Sequence, residues 1–195
     1  MKFVRYMLVC LVALVLAACG APHQFTGSVL DPPKPADDFT LTDANGQPFQ
    51  LSAQRGKVTL IYFGFTNCPD FCPTTMGDWK LVKQQLGSDA DKVNFVMISV
   101  DPERDTEPVL KQYMERFDPT FIGLRPTMDQ VQLLSQQYGV GVDAAAAGHD
   151  HGAHDPTKHG TYSYAIDGQG QLRLLFPYDT DPTKIADDVR ALLRG

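Results

Sequence analysis

Two cysteines with three residues between them, Cys68 and Cys72, are the side chains of this sequence best suited to redox or metal chemistry. An apolar run over residues 58–63 predicts a buried strand before them. Apolar residues recur at helical spacing after them, and Pro73 suits the first turn of a helix. The pattern therefore places Cys72 at the start of a helix and Cys68 in the loop before it. Amide N–H groups and the helix dipole favour a thiolate there.

The spacing of this pair leaves two kinds of chemistry open. Redox enzymes of the thioredoxin type use Cys-x-x-Cys, whereas three residues separate Cys68 from Cys72. The wider loop can still close a disulfide, redox-active or structural, but it also lets both sulfurs bind one soft metal ion. In an exported compartment the pair would be oxidised unless a reductant acted on it.

The first 35 residues predict export and anchoring. Lys2 and Arg5 precede an apolar stretch, residues 7–16, which is short for a membrane span. The stretch ends in Leu-Ala-Ala-Cys19, similar to the bacterial lipoprotein cleavage box. We therefore expect residues 1–18 to be a lipoprotein signal peptide and Cys19 to carry the lipid; a secretory signal or an uncleaved anchor is the alternative. Residues 19–35, rich in Pro and Gly, are interpreted as a flexible tether. The predicted location is the bacterial cell envelope, membrane-anchored and facing the periplasm or exterior.

The remaining residues, 36–195, are predicted to form one α/β domain. A β-hairpin around Asn45-Gly46 is followed by strands and helices in alternation, then by a second hairpin at 162–176 and a helix opening at Asp181. Asp105 is interpreted as a helix N-cap, and Thr127 with Gln130 as a capping box. This order predicts a central mixed sheet flanked by helices. The net charge of −6 argues against a nucleic-acid partner.

A His- and Ala-rich stretch, residues 142–158, interrupts the helical and strand patterns and is interpreted as a loop insertion. His149, His151 and His154 in it are candidates for a secondary metal site, because imidazole binds Cu(II), Zn(II) and Ni(II). The alternative is a solvated insertion without a metal role.

Three blocks resemble the Sco/SenC copper-chaperone family. They are Phe-Gly-Phe-Thr-Asn-Cys-Pro-Asp-Phe-Cys-Pro-Thr-Thr-Met (63–76), Ile-Ser-Val-Asp-Pro-Glu-Arg-Asp-Thr (98–106), and His159 with Tyr164 and Asp167. The resemblance covers roughly residues 35–195 and implies a thioredoxin-like fold with an inserted hairpin. Lys158 stands where this family commonly has an acidic residue.

The resemblance also implies a function. One copper, Cu(I) or Cu(II), would be bound by Cys68, Cys72 and His159. The protein would serve assembly of the binuclear copper site of cytochrome c oxidase as a metal donor, a thiol reductant or both. The implied partners are the copper-site subunit of the oxidase and a reductant of thioredoxin type.

A thioredoxin-like thiol–disulfide oxidoreductase or peroxidase is the alternative. Oxidoreductases of that type resemble one another in a proline directly before the strand that faces the cysteines, and residues 159–162 contain none. Copper binding is therefore favoured, with Cys68 and Cys72 as a coupled redox pair rather than as the centre of an enzyme.

Overall fold

The structure, a computed structural model, describes residues 23–140 and 162–195. Its strands are β1 (Ser28–Pro35), β2 (Thr40–Asp43), β3 (Pro48–Gln50), β4 (Val58–Gly64), β5 (Val93–Ser99), β6 (Ile122–Arg125), β7 (Tyr162–Ile166) and β8 (Gln171–Pro177). Its helices are α1 (Phe71–Leu86), α2 (Glu107–Glu115), α3 (Met128–Tyr138) and α4 (Pro182–Arg194). The strands form one mixed sheet in the order β1-β8-β7-β4-β5-β6-β2-β3. The predicted mixed sheet flanked by helices is confirmed.

The centre of the sheet is the parallel pair β4 and β5, every residue of which is buried. Such strands are continuous apolar runs because both of their faces are covered. Successive side chains of β4 point to opposite faces of the sheet. Leu60 and Tyr62 belong to a core with residues of α1, α2 and α4, whereas Ile61 and Phe63 belong to a second core with residues of α3 and of the β2–β3 hairpin.

Both predicted hairpins are present. In the first, Leu41 of β2 lies opposite Phe49 of β3, and Gly46 in the turn has φ of +76°, a conformation that favours glycine. In the second, β7 pairs antiparallel with β8 and also with β4. Thr127 and Gln130 form the predicted capping box of α3.

The predicted tether is wrong for residues 28–35. They form β1, an edge strand paired antiparallel with β8. The prolines that suggested a tether are tolerated because an edge strand has one unpaired side. The chain just before β1 is also bound to the domain: His23 Nε2 lies 2.7 Å from Asp188 Oδ1 on α4, and the N–H groups of Thr26 and Gly27 donate to Asp188 Oδ2 at 2.9 Å.

The predicted N-cap role of Asp105 is also wrong. The N-cap of α2 is Thr106, and the side chain of Asp105 is fully buried. The Asp105 carboxylate instead accepts hydrogen bonds from Thr66 and Ser99, which belong to the cysteine loop and to β5. Within the described ranges, no helix has the length and apolar character needed to cross a bilayer.

Candidate dithiol and metal site

The two cysteines lie at the carboxyl end of β4, where the chain turns into α1. Cys68 is half-buried in the loop, and Cys72, the second residue of α1, is 3% exposed. The backbone N–H of Cys72 donates to Cys68 Sγ at 3.4 Å, so the amino end of the helix faces that sulfur. Both residues are free thiols. The predicted positions of Cys68 and Cys72 in a strand–loop–helix are confirmed.

The environment separates the two thiols electrostatically. A hydrogen bond from the Cys72 thiol, aided by the N–H groups of Cys72, Asp70 and Phe71, lowers the pKa of Cys68 to about 6 although burial opposes the shift. The hydrogen bond to Cys68, burial and the Cys68 charge raise the pKa of Cys72 well above its usual range. At neutral pH the site therefore holds one thiolate and one thiol that donates to it.

Tyr62 and Gly64 shape the site from beneath. The Tyr62 hydroxyl donates to Cys72 Sγ at 3.7 Å. Burial and the neighbouring cysteine raise the pKa of Tyr62, so it remains a neutral donor. A Cβ on Gly64 would lie 2.6 Å from the Tyr62 ring and 3.1 Å from Cys72 Sγ. Glycine at this position therefore makes the close approach of Tyr62 and Cys72 possible.

Asp105 ties the cysteine loop to the next strand. Its carboxylate accepts from the hydroxyls of Thr66 and Ser99, each at 2.6 Å, and from the backbone N–H of Thr66 at 3.2 Å. Thr66 precedes Cys68 by two residues, and Ser99 ends β5. Because hydrogen bonds to a buried carboxylate are strong, this contact fixes where the loop leaves β4.

The other sequence candidates have different outcomes. Tyr164 is buried in β7 and lies opposite Ile61 of β4. Asp167 accepts hydrogen bonds within the β7–β8 turn and forms a salt bridge with Arg173 at 3.0 Å. None of these contacts involves the two thiols. The predicted ligands His159, His149, His151 and His154, and the predicted lipid site Cys19, lie outside the described residues. In residues 23–140 and 162–195 no group of three or more His, Cys, Asp and Glu side chains could hold a metal ion.

Sequence reasoning missed the roles of Tyr62, Gly64 and Asp105. All three stand in or directly beside the blocks 63–76 and 98–106, so the family resemblance was a signal that could have singled them out. Their contacts cross between elements, from β4 to α1 and from the loop to β5, and neither helical nor strand periodicity encodes such contacts.

The sheet order, the β4–α1–β5 crossover and a cysteine pair at the strand-to-helix turn define a thioredoxin-like protein. A model of the SCO1/SenC family matches residues 29–194. The chain belongs to the SCO1/SenC family.

Particular relatives agree with this assignment. The chain is 35% identical over 150 residues to the SCO2-like protein of Rickettsia felis, covering 77% of this chain and 73% of that one. It is similar to Bradyrhizobium japonicum ScoI with copper bound, with 36% identity, a TM-score of 0.68, and coverage of 80% and 97%. It is also similar to a SCO1/SenC family lipoprotein from Bacillus anthracis, with 25% identity, a TM-score of 0.69, and coverage of 84% and 98%.

Proposed function

We propose that this protein is a copper chaperone that delivers copper to the binuclear copper site of cytochrome c oxidase. The observation that carries the proposal is the hydrogen-bonded pair of Cys68 and Cys72 at the amino end of α1. A similar protein of the same family has been solved with copper bound. Thiolates are soft ligands that select Cu(I), and the lowered pKa of Cys68 supplies one at neutral pH.

His159 is proposed as the third ligand. It precedes Tyr162, the first residue of β7, by three residues, so the covalent chain keeps the two Cα atoms within about 11 Å. Ser163, the next residue of β7, lies opposite Tyr62, whose hydroxyl donates to Cys72. A three-ligand site leaves one direction open, from which a thiolate of the recipient can attack and remove the metal.

Copper binding to ligand variants tests this proposal. Cys68→Ala or Cys72→Ala should abolish stoichiometric Cu(I) binding in a competition with a chromogenic chelator. His159→Ala should weaken binding and transfer while leaving the unfolding transition unchanged. Wild-type affinity and delivery in His159→Ala would place the third ligand elsewhere, with residues 149–154 the first candidates.

Thiol–disulfide exchange is the second candidate function, and the lowered pKa of Cys68 favours it. In this reaction Cys68 and Cys72 lose two electrons and two protons to a partner disulfide and form an intramolecular disulfide. A disulfide has no thiolate to offer a metal, so oxidation and copper binding exclude each other. The oxidised protein then requires a thioredoxin-like reductant before it can bind copper. Full Cu(I) loading of the oxidised protein would contradict this coupling.

Membrane anchoring through Cys19 is a further part of the proposal. Acyl chains contribute about 0.8 kcal/mol per buried CH₂, so two or more chains hold a domain at a bilayer. Cys19→Ser should release the protein from membranes or block its processing. Unchanged membrane association of that variant would indicate an uncleaved apolar helix instead.

The secondary metal site at His149, His151 and His154 is proposed separately. Copper(II) titration of a variant with all three replaced by alanine should show fewer weak equivalents than the wild type. Unchanged stoichiometry would remove this site.

A further inference from the structure

Tyr113 of α2 lies in the same core as the thiol site. Its side chain is 6% exposed and belongs to the core that contains Tyr62 and Cys72, and Cys68 packs against that core. The ring of Phe117, which follows α2, contacts the Tyr113 ring edge-to-face with 5.3 Å between centroids. Burial and this contact hold the Tyr113 ring in one place.

The hydroxyl of Tyr113 is a buried donor without a partner. Among residues 23–140 and 162–195 no group accepts its hydrogen bond. Two other buried tyrosine hydroxyls do have partners: that of Tyr62 donates to Cys72, and that of Tyr138 donates to the carbonyl of Asp37 at 2.9 Å. A buried hydroxyl that makes no hydrogen bond destabilises the folded state. Such a group is explained if its partner is present in only one state of the protein.

The hydroxyl of Tyr113 points toward the thiols. Both α1 and α2 begin at the carboxyl edge of the parallel strands, and they run side by side, since Lys83 near the end of α1 pairs with Asp118 just beyond α2 at 2.6 Å. Side chains on a helix lean toward its amino end, so that of Tyr113 leans toward the edge that carries the thiols. Burial raises the pKa of Tyr113, and the charges of the two cysteines and of Asp105 raise it further.

Binding of a metal ion changes what the Cys72 sulfur can accept. In the free site Cys72 is a thiol that donates to the Cys68 thiolate. A metal ion bound by both sulfurs replaces that proton, which leaves to solvent, and Cys72 becomes a buried thiolate. The Tyr62 hydroxyl and the backbone N–H of Phe65 already donate to this sulfur. Each further donor that reaches the sulfur stabilises its buried charge.

We propose that Tyr113 is a further residue of the metal site: its hydroxyl donates to the Cys72 thiolate when copper is bound. This inference rests on the proposed function, because it adds a residue to the same site. Tyr113 does not touch the metal; it is a positioning residue that acts through the sulfur. Its hydroxyl favours the loaded state over the free state, in which the described residues leave it without an acceptor.

The variant that tests this role is Tyr113→Phe, which removes the hydroxyl and keeps the ring. Its Cu(I) affinity, measured at neutral pH by competition with a chromogenic chelator, should fall about tenfold, because a hydrogen bond to a charged group is lost from the loaded state alone. The metal-free variant should unfold at the same urea concentration as the wild type or at a higher one. All proteins carry Cys10→Ser and Cys19→Ser, so that only the site thiols bind metal.

A matched control is Tyr138→Phe, the same chemical change in the other core. The hydroxyl of Tyr138 has a partner, so this variant should unfold at a lower urea concentration and keep the wild-type Cu(I) affinity.

The thiol–disulfide equilibrium separates the proposed role from a displaced cysteine loop. Neither the free thiolate–thiol pair nor the disulfide gives the Tyr113 hydroxyl a sulfur acceptor. The equilibrium constant of Tyr113→Phe with dithiothreitol should therefore stay within about twofold of the wild-type value.

Three outcomes overturn the proposal. The first is wild-type Cu(I) affinity in Tyr113→Phe. The second is lower stability of the metal-free variant, because the hydroxyl would then have a partner before the metal binds. The third is an equal change in Cu(I) affinity and in the disulfide equilibrium, which would indicate a displaced loop.

Titration with Cd(II) distinguishes failure of this inference from failure of the proposed function. This soft ion also needs both thiolates, and its binding is followed by thiolate-to-metal charge-transfer absorption. A wild type that binds Cd(II) but not Cu(I) overturns the copper function, and the Cd(II) affinity of Tyr113→Phe then decides the role of Tyr113. A wild type that binds neither ion overturns both.

Discussion

The lowered pKa of the Cys68 thiol is the property of the site that can be tested most directly. The variant that tests it is Cys72→Ala, because the hydrogen bond from the Cys72 thiol is the largest cause of the lowered Cys68 pKa of about 6. Removing the donor should move the titration midpoint of Cys68 upward. Cys72→Ser, which keeps a hydroxyl donor, should move it less.

The size of the effect depends on pH. At pH 5.5 a thiol with a pKa of about 6 is about 24% ionised, whereas an ordinary cysteine with a pKa of about 8.5 is about 0.1% ionised. A less basic thiolate is also a weaker nucleophile, by about 13-fold for this difference at a Brønsted coefficient near 0.45. Cys68 should therefore react about 20-fold faster than an ordinary cysteine at pH 5.5, and only about twice as fast at pH 7.

The assay is stopped-flow reaction with 4,4′-dithiodipyridine from pH 4 to pH 9, in protein with Cys10 and Cys19 replaced by serine. Only the two site thiols then react, and the half-buried Cys68 should react first. The wild-type rate should rise with a midpoint near pH 6. A wild-type midpoint above about pH 8, or the same midpoint in Cys72→Ala, would refute the electrostatic account of the pair.

Three other perturbations follow from the contacts around the site. Asp105→Asn should lower the free energy of unfolding, measured in urea titrations, by about 2–3 kcal/mol, because a buried carboxylate that accepts from three donors is lost. The Cu(I) affinity should fall as well. Unchanged stability and affinity would contradict the anchoring role of Asp105. Gly64→Ala should weaken Cu(I) binding, because the added Cβ displaces the Cys72 sulfur or the Tyr62 ring. Gly123→Ala, the control, crowds Leu110 instead; it should lower the free energy of unfolding by about 1–3 kcal/mol and leave copper affinity unchanged. Equal copper affinity in both variants would contradict this explanation. Asp188→Ala should cost about 1–3 kcal/mol and increase hydrogen exchange in residues 23–35, because two N–H groups lose their acceptor; wild-type exchange there would show that β1 is held by its strand pairing alone.

The sequence by itself determined the elements that position the thiols. The apolar run of β4, the helical spacing after Pro73 and the proline itself act within a few residues, so local patterns are enough to place Cys72 at a helix start. The hairpin at Asn45-Gly46 and the capping box at Thr127 are equally local. The resemblance of whole motifs gave the family, because those motifs contain most of the residues around the site.

Only the tertiary structure decided the features that join distant parts of the chain. Residues 28–35 are a strand because β8 offers an edge for pairing 140 or so residues later, which a Pro-rich composition does not reveal. Asp105 is a buried anchor rather than a cap because Thr66 and Ser99 converge on it in space. The unequal acidity of Cys68 and Cys72 has the same origin: burial and hydrogen-bond direction set each pKa, and both depend on how α1 packs against β4.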